Sequence, residues 1–457
     1  MKRSKKLCIL LGILIAVCLA ALAAMLSEEK KEEIKTSGET VLSVESAKVT
    51  ALCWEQDGTT WSFRCGDDGW RYDDDAEFPV SDSAMDALLE PFRSLSAAFT
   101  IENAEDLGRY GLDAPTCTIT LTTDDKTYTV KLGDYSTMDS QRYMDIGDGN
   151  VYLAASDPLD AYDVELKDLI ANDDVPYFDE VSQIRFAGSE DYSVIYDEDG
   201  KSICADDVYF TADGKPLDTS RVNSYISVLR YLELTDYVTY RVTDEELSAY
   251  GLDDPELSVS VDYTDGGTSD TFVLHISRDP SEKKAAADAE DEEASDITAY
   301  ARVGNSKIIY QISGSSYQPL MAAGYNDLRH QEIFSGNFDD VTGIDVTLDG
   351  ETYTLTSQKD GKERTWLCEE AEIEIGDLQD ALEALTAEEF TSEKAAGQQE
   401  ISLTLHLDHE DEPELTIALY RCDGSKCLAV VDGKSVAYVP RGEMVTLAEA
   451  VRTIALS

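Results

Sequence analysis

The sequence predicts an α+β fold of three tandem repeat modules. Each is an antiparallel meander sheet with helices, and all stand behind one N-terminal transmembrane helix. Three observations predict this. The text Glu105-Asp106-Leu107-Gly108-Arg109-Tyr110-Gly111-Leu112-Asp113-Ala114-Pro115 returns, 140 positions on, as Glu245-Glu246-Leu247-Ser248-Ala249-Tyr250-Gly251-Leu252-Asp253-Asp254-Pro255. Three similar strands, Val49-Thr50-Ala51-Leu52-Cys53-Trp54, Val181-Ser182-Gln183-Ile184-Arg185-Phe186 and Val341-Thr342-Gly343-Ile344-Asp345-Val346, open the modules. One uncharged apolar run, residues 7–26, lies near the N-terminus.

That run comes first in chain order. About 20 apolar residues rising 1.5 Å each match a hydrocarbon core of about 30 Å. Lys2, Arg3, Lys5 and Lys6 precede it, and a basic flank stays on the cytoplasmic side. Residues 1–26 are therefore expected to be a single-pass anchor in the cell membrane, with everything after it extracytoplasmic. A cleaved signal peptide is the alternative, since Ala21-Leu22-Ala23 resembles a small-x-small cleavage site. Residues 27–42 are polar and charged and read as a spacer.

The modules are expected at 43–176, 177–335 and 336–457. In the first, strands are expected at 49–54, 60–65 and 70–72, turning at Asp57-Gly58. A helix follows at 83–94, where Met85, Leu88, Leu89 and Phe92 share one face, capped by Ser81 or Ser83. The Tyr-Gly-Leu-Asp turn comes next; Gly111 and Gly251 suit a positive φ. Alternating strands at 117–121, 127–132, 142–146 and 151–154 have one face to bury, and a helix at 159–169 closes the module. The second module supplies a helix at 220–232. The divergent third is expected to have strands at 343–348, 352–356, 365–368, 401–407, 415–420, 426–431 and 435–439, a turn at Asp349-Gly350, and helices at 376–385 and 444–456. Phe178-Asp179-Glu180 and Phe338-Asp339-Asp340 are 160 positions apart, not 140. The excess falls on residues 281–296, SEKKAAADAEDEEASD, which lacks apolar bulk and is expected to be a disordered insertion.

Charge narrows the partners. The chain carries 93 acidic and 37 basic side chains, a formal net charge of −56. Such a surface repels nucleic acid, and no basic stripe is present. Acidic loops at 197–200 and 145–150 offer oxygens near glycine, allowing weak Ca2+ binding, though neither has EF-hand spacing; hairpin turns explain both.

Reactive constellations are not legible. The histidines are His275, His330, His406 and His409. On one strand His406 and His409 would face opposite ways and could not share an ion. Paired acids such as Asp73-Asp74-Asp75, Asp173-Asp174 and Asp206-Asp207 are expected by abundance alone. No catalytic, cofactor-binding or metal residues and no cofactor are assigned, and the chain reads as a non-enzyme. Cys422 and Cys427 flank Asp423-Gly424-Ser425-Lys426; a turn centred on Gly424-Ser425 would place them opposite each other, bonded or free. The same arithmetic sets Cys53 opposite Ser62, so a Cys53–Cys65 bond is off-register. Trp54 and Trp70 read as core, while Trp61 is the aromatic free to meet a glycan or a protein partner.

The Tyr-Gly-Leu-Asp-x-Pro turn followed by a strand, Lys131-Leu132-Gly133-Asp134 and Val151-Tyr152-Leu153 resemble the DUF4340 family. These are bacterial proteins of undefined function with an N-terminal anchor and an extracytoplasmic repeat region. The resemblance is close in the first module, good around Tyr250 to Pro255 and weak in the third. Members are often encoded beside an ABC transporter of the type associated with gliding motility. The resemblance implies an accessory role among ABC transporter subunits and supplies no catalytic residues. The reading is a membrane-anchored scaffold or interaction protein; the alternative is an envelope module binding a glycan or a divalent cation.

Overall fold

The computed structural model of the protein describes residues 38–102, 104–288, 297–360 and 363–455. The expected membrane helix lies outside them. Among the described residues no helix is long and apolar enough to cross a membrane. The described residues form three nine-stranded sheets, and every strand pair detailed below is antiparallel. It divides into two compact units. One runs to Asp173 and includes Thr235–Val242; the other takes Asp174–Leu234 and Thr243 onward.

Each sheet is built the same way. Its central strand, Val49–Gln56, Glu180–Gly188 or Val341–Leu348, pairs on one side with the hairpin strand that follows it. On the other side it pairs with a strand from much later: Cys117–Thr123, Leu257–Asp265 or Gln399–Leu407. The helix Asp82–Arg93, Thr219–Arg230 or Gly376–Glu383 lies between the two in sequence. Alternation along the strands gives each sheet one apolar face. In the first module Leu52, Trp54, Phe63, Ile119, Leu121, Val130 and Leu132 are buried, as are Met85, Leu88, Leu89 and Phe92 of the helix. Ser81 caps that helix by accepting from the Ala84 N–H at 3.2 Å.

A shared irregularity shows the repeat more sharply than the text does. The register shifts between Val49 and Ala51, between Val181 and Gln183, and between Val341 and Gly343. The residue inside each shift is Thr50, Ser182 or Thr342. Each hydroxyl donates across the ladder, to the carbonyls of Thr122 (3.2 Å), Asp262 (3.2 Å) and His406 (3.1 Å). A bulge leaves a partner-strand carbonyl short of a donor, and the hydroxyl supplies one. The divergent third module keeps this device.

The glycines behave as their positions require. Asp57-Gly58 and Asp349-Gly350 have both φ values positive, as a two-residue hairpin turn demands. Gly111 has φ 69 and ψ 16, and Gly251 has φ 68 and ψ 16; each terminates a short 3-10 turn. In the first copy, a Cβ on Gly133 would strike the Tyr110 carbonyl, and one on Gly111 would meet the Asp134 carboxylate. The Tyr-Gly-Leu-Asp and Lys-Leu-Gly-Asp texts are thus two halves of one packed contact. In the second copy Ser277 takes the place of the second half. Its hydroxyl donates to the Gly251 carbonyl at 2.8 Å and accepts from the Glu256 N–H at 3.1 Å.

Four expectations are corrected. Glu39–Leu42, expected as spacer, is a strand paired with Leu95–Ile101; four residues are too few to show a period. Residues 159–169 form two 3-10 turns, Pro158–Ala161 and Leu166–Leu169, in place of a helix. Tyr162 between them is drawn into the core, its hydroxyl donating to the Leu88 carbonyl at 2.8 Å. The insertion is not wholly disordered, because Pro280–Asp288 is helical and residues 289–296 lie outside those described. Asp279 starts that helix by accepting from the Ser281 and Glu282 N–H groups, and Lys283 pairs with Glu256 at 2.7 Å. Finally, Cys427 opposes Arg421, one residue off the expected register. Cys422 is exposed, Cys427 is buried, and both are free.

Glu256 makes the helix testable. Burial favours its neutral form. Even so, Lys283, the Arg278 N–H and the Tyr317 hydroxyl hold the carboxyl below its ordinary value of 4.5. A depressed folded pKa contributes stability that is present above the unfolded value and lost as pH falls through the folded one. Stability is therefore expected to fall with acidification below about pH 4.5, and Glu256→Gln should flatten that slope. Urea midpoints from pH 3 to 7 check it; equal slopes would refute the linkage.

Candidate functional site

The residues that converge most closely lie within the second unit, where the second sheet meets the linker to the third. The strand Tyr192–Tyr196 ends in a loop that returns at Tyr209–Thr211. Within it the Asp207 N–H donates to the Cys204 carbonyl at 3.1 Å. That turn sets the Cys204 thiol beside the Asp207 carboxylate. Ile203, one residue earlier, packs against the core of the third module. From the other side comes His330, followed by Ile333 and Phe334 in the same core. The linker is fixed by its backbone: Ile333 N–H donates to the Leu385 carbonyl at 2.9 Å, and Ala387 N–H to that of Gln331 at 2.7 Å.

His330 Nε2 lies 3.0 Å from both oxygens of Asp207. The Asp207 side chain is 1% exposed and that of His330 17%. Ser202 Oγ donates to Asp207 Oδ2 at 2.7 Å, so the buried carboxylate is satisfied. On the far side of the ring, Nδ1 faces Glu332 at 3.8 Å. Burial works against a charged imidazole. The hydrogen bond and charge of Asp207, with Asp218 and Glu332 beyond, nonetheless hold His330 above its ordinary 6.5. Burial pushes the Cys204 thiol up, and the charges of Asp207 and Asp206 add to this against the Asp206 N–H.

Two sets of donors come together here. Cys204, Asp207 and His330 have ligand atoms within 4.8 Å of one another, as do Asp218, His330 and Glu332. A cavity of about 290 Å³ opens beside them, lined by Cys204, Asp218, His330 and Glu332 among others. Asp218 is already employed, accepting from the Ser220 and Arg221 N–H groups as the helix cap. In the first set two of the members engage each other, His330 Nε2 meeting both Asp207 oxygens at 3.0 Å. Its geometry is that of ligands around a point: His330 gives Nε2 to Asp207 and turns Nδ1 toward Glu332.

The other residues singled out from sequence are placed singly. His406 lies 2.9 Å from Asp345, while His409 sits beyond the strand end and accepts from the Glu412 N–H. His275 shares a hydrogen bond with Ser258 at 2.8 Å. The acidic loops use their oxygens on themselves: Asp145 accepts from the Gly147 N–H, Asp148 from the Asn150 N–H, and Asp197 from the Asp199 N–H. Trp54 is 1% exposed. Trp70 is half-buried, less than a core residue. Trp61 is half-buried and stacks on Trp54 at 6.1 Å. Asp206-Asp207 and His330 were visible in the sequence only as one acid pair among many and one of four histidines. Their 123-residue separation leaves no local pattern.

No curated protein and no solved structure matches the chain. The family model described as "Domain of unknown function (DUF4340)" matches twice, over residues 70–255 and 208–403. Each match begins near the outer strands of one hairpin (Gly69–Tyr72, Tyr209–Thr211) and runs into the next module. The matches start 138 residues apart, close to the text repeat. Together they cover most of the chain, which belongs to the DUF4340 family.

Proposed function

We propose that the chain is a non-enzymatic, membrane-anchored extracytoplasmic scaffold, an accessory of an ABC-type transporter complex of the gliding-associated type. The observation that supports it is the threefold reuse of one sheet plan around a bulged central strand. Repetition multiplies surface without concentrating reactive groups, which suits a protein that binds along its length. The acidic surface adds selectivity, attracting basic partner faces and repelling anionic ones. The anchor rests on the basic-flanked apolar run, and the transporter on the family's association with such systems.

The test is in-cell crosslinking of the anchored protein, followed by affinity purification and mass spectrometry. Reproducible recovery of a transporter permease or ATPase is the expected result. Recovery of the protein alone, from cells that contain the transporter, would overturn the accessory role.

A further inference from the structure

We propose that Cys204, Asp207 and His330 form a binding site for a zinc-class divalent metal ion where the second and third modules join. The proposal is independent of the scaffold reading. A thiolate, an imidazole and a carboxylate make a mixed soft-and-hard donor set, which favours Zn2+ and its neighbours over Ca2+ or Mg2+. Their spacing fits. Around a tetrahedral ion at about 2.0–2.3 Å from each donor, ligand atoms sit about 3.3–3.7 Å apart. Here all three donors fall within 4.8 Å of one another, and the nitrogen and carboxylate are already at 3.0 Å.

The surroundings are those of a metal site. Ser202 Oγ holds Asp207 Oδ2 at 2.7 Å, fixing the carboxylate. Glu332 lies 3.8 Å from His330 Nδ1, where a small rotation would let it accept from that nitrogen and hold a ligating imidazole with Nε2 toward the ion. The cavity lined by Cys204 and His330 gives an ion a way in and leaves a fourth position for water. Binding sends the thiol proton to solvent and displaces the Nε2 proton that His330 gives to Asp207, leaving a neutral imidazole with its proton on Nδ1. Two ligands come from the second module's loop and one from the linker. Ile203 packs against the third module's core and Ile333 lies in it, so the ion would tie the second module's loop to the linker where both rest on that core.

The experiment uses full-length protein in detergent, titrated with Co2+ and Zn2+ as the probes. One equivalent of Co2+ is expected to give a thiolate-to-cobalt charge-transfer band that Zn2+ quenches by competition. Cys204→Ser, which preserves size, should abolish the band, and His330→Gln should weaken Zn2+ binding by about 10–100-fold or more. Cys422→Ser, at an exposed thiol outside the site, should leave both unchanged. Circular dichroism confirms that each variant is folded. A wild-type protein that shows no band, or a band that survives Cys204→Ser, would overturn the site.

Discussion

Replacing Trp54 with Ala is expected to destabilise the first module by about 3–5 kcal/mol, the range for emptying a large buried aromatic site. Trp54 is 1% exposed. Its ring stacks on Phe63 at 5.5 Å and meets Tyr162 edge-on at 5.4 Å. It sits where the central strand, its hairpin partner and the turn after Pro158 converge, so surrounding groups cannot collapse into the void without breaking strand register. The loss combines lost burial with a persistent cavity. Trp61, only half-buried against it, should lose its stacking partner and become more exposed. Three of the four tryptophans lie in this module, so urea unfolding followed by fluorescence reports mainly on it. A midpoint shift equivalent to less than about 1 kcal/mol would show that Trp54 does not organise the core.

Gly111→Val and Gly251→Val form the second test, and the two should differ. Both glycines hold the same left-handed conformation, so each substitution carries about 1–3 kcal/mol of backbone strain. The surroundings then separate them. A Cβ at Gly111 would lie 2.5 Å from an Asp134 carboxylate oxygen and 2.9 Å from its backbone nitrogen, whereas one at Gly251 would find Ser277 at 3.2 Å. A carboxylate can swing aside more easily than the backbone behind it, so Gly111→Val should be the more damaging. Thermal unfolding of the two variants decides it. Equal losses would mean that backbone conformation alone sets the requirement; no loss in either would refute the turn geometry.

This pair shows why so much of the architecture was readable. A glycine at φ near 69° and an Asp-Gly hairpin are demands of three or four consecutive residues on the backbone. The alternation that buries Cys117, Ile119 and Leu121 is a period of two written along one strand. Such signals survive in a linear text. The helix face of Met85, Leu88, Leu89 and Phe92 was legible for the same reason.

What failed was decided by partners distant in sequence. Glu39–Leu42 is a strand because Leu95–Ile101 offers it a free edge. Pro280–Asp288 is a helix whose Lys283 finds Glu256, although its composition alone reads as solvated chain. The cysteines at 422 and 427 are the local exception: they miss each other because the hairpin register sets Arg421 opposite Cys427.

The sequence by itself determined the repeat, the hairpins, the meander strands and main helices and the turn glycines, because each follows from local backbone sterics and the burial of one periodic face. Only the tertiary structure decided which polar groups meet. Cys204, Asp207 and His330 converge because half-buried Ile203 packs against the same third-module core in which Ile333 is buried, and hydrophobic packing draws together loops that no sequence period connects.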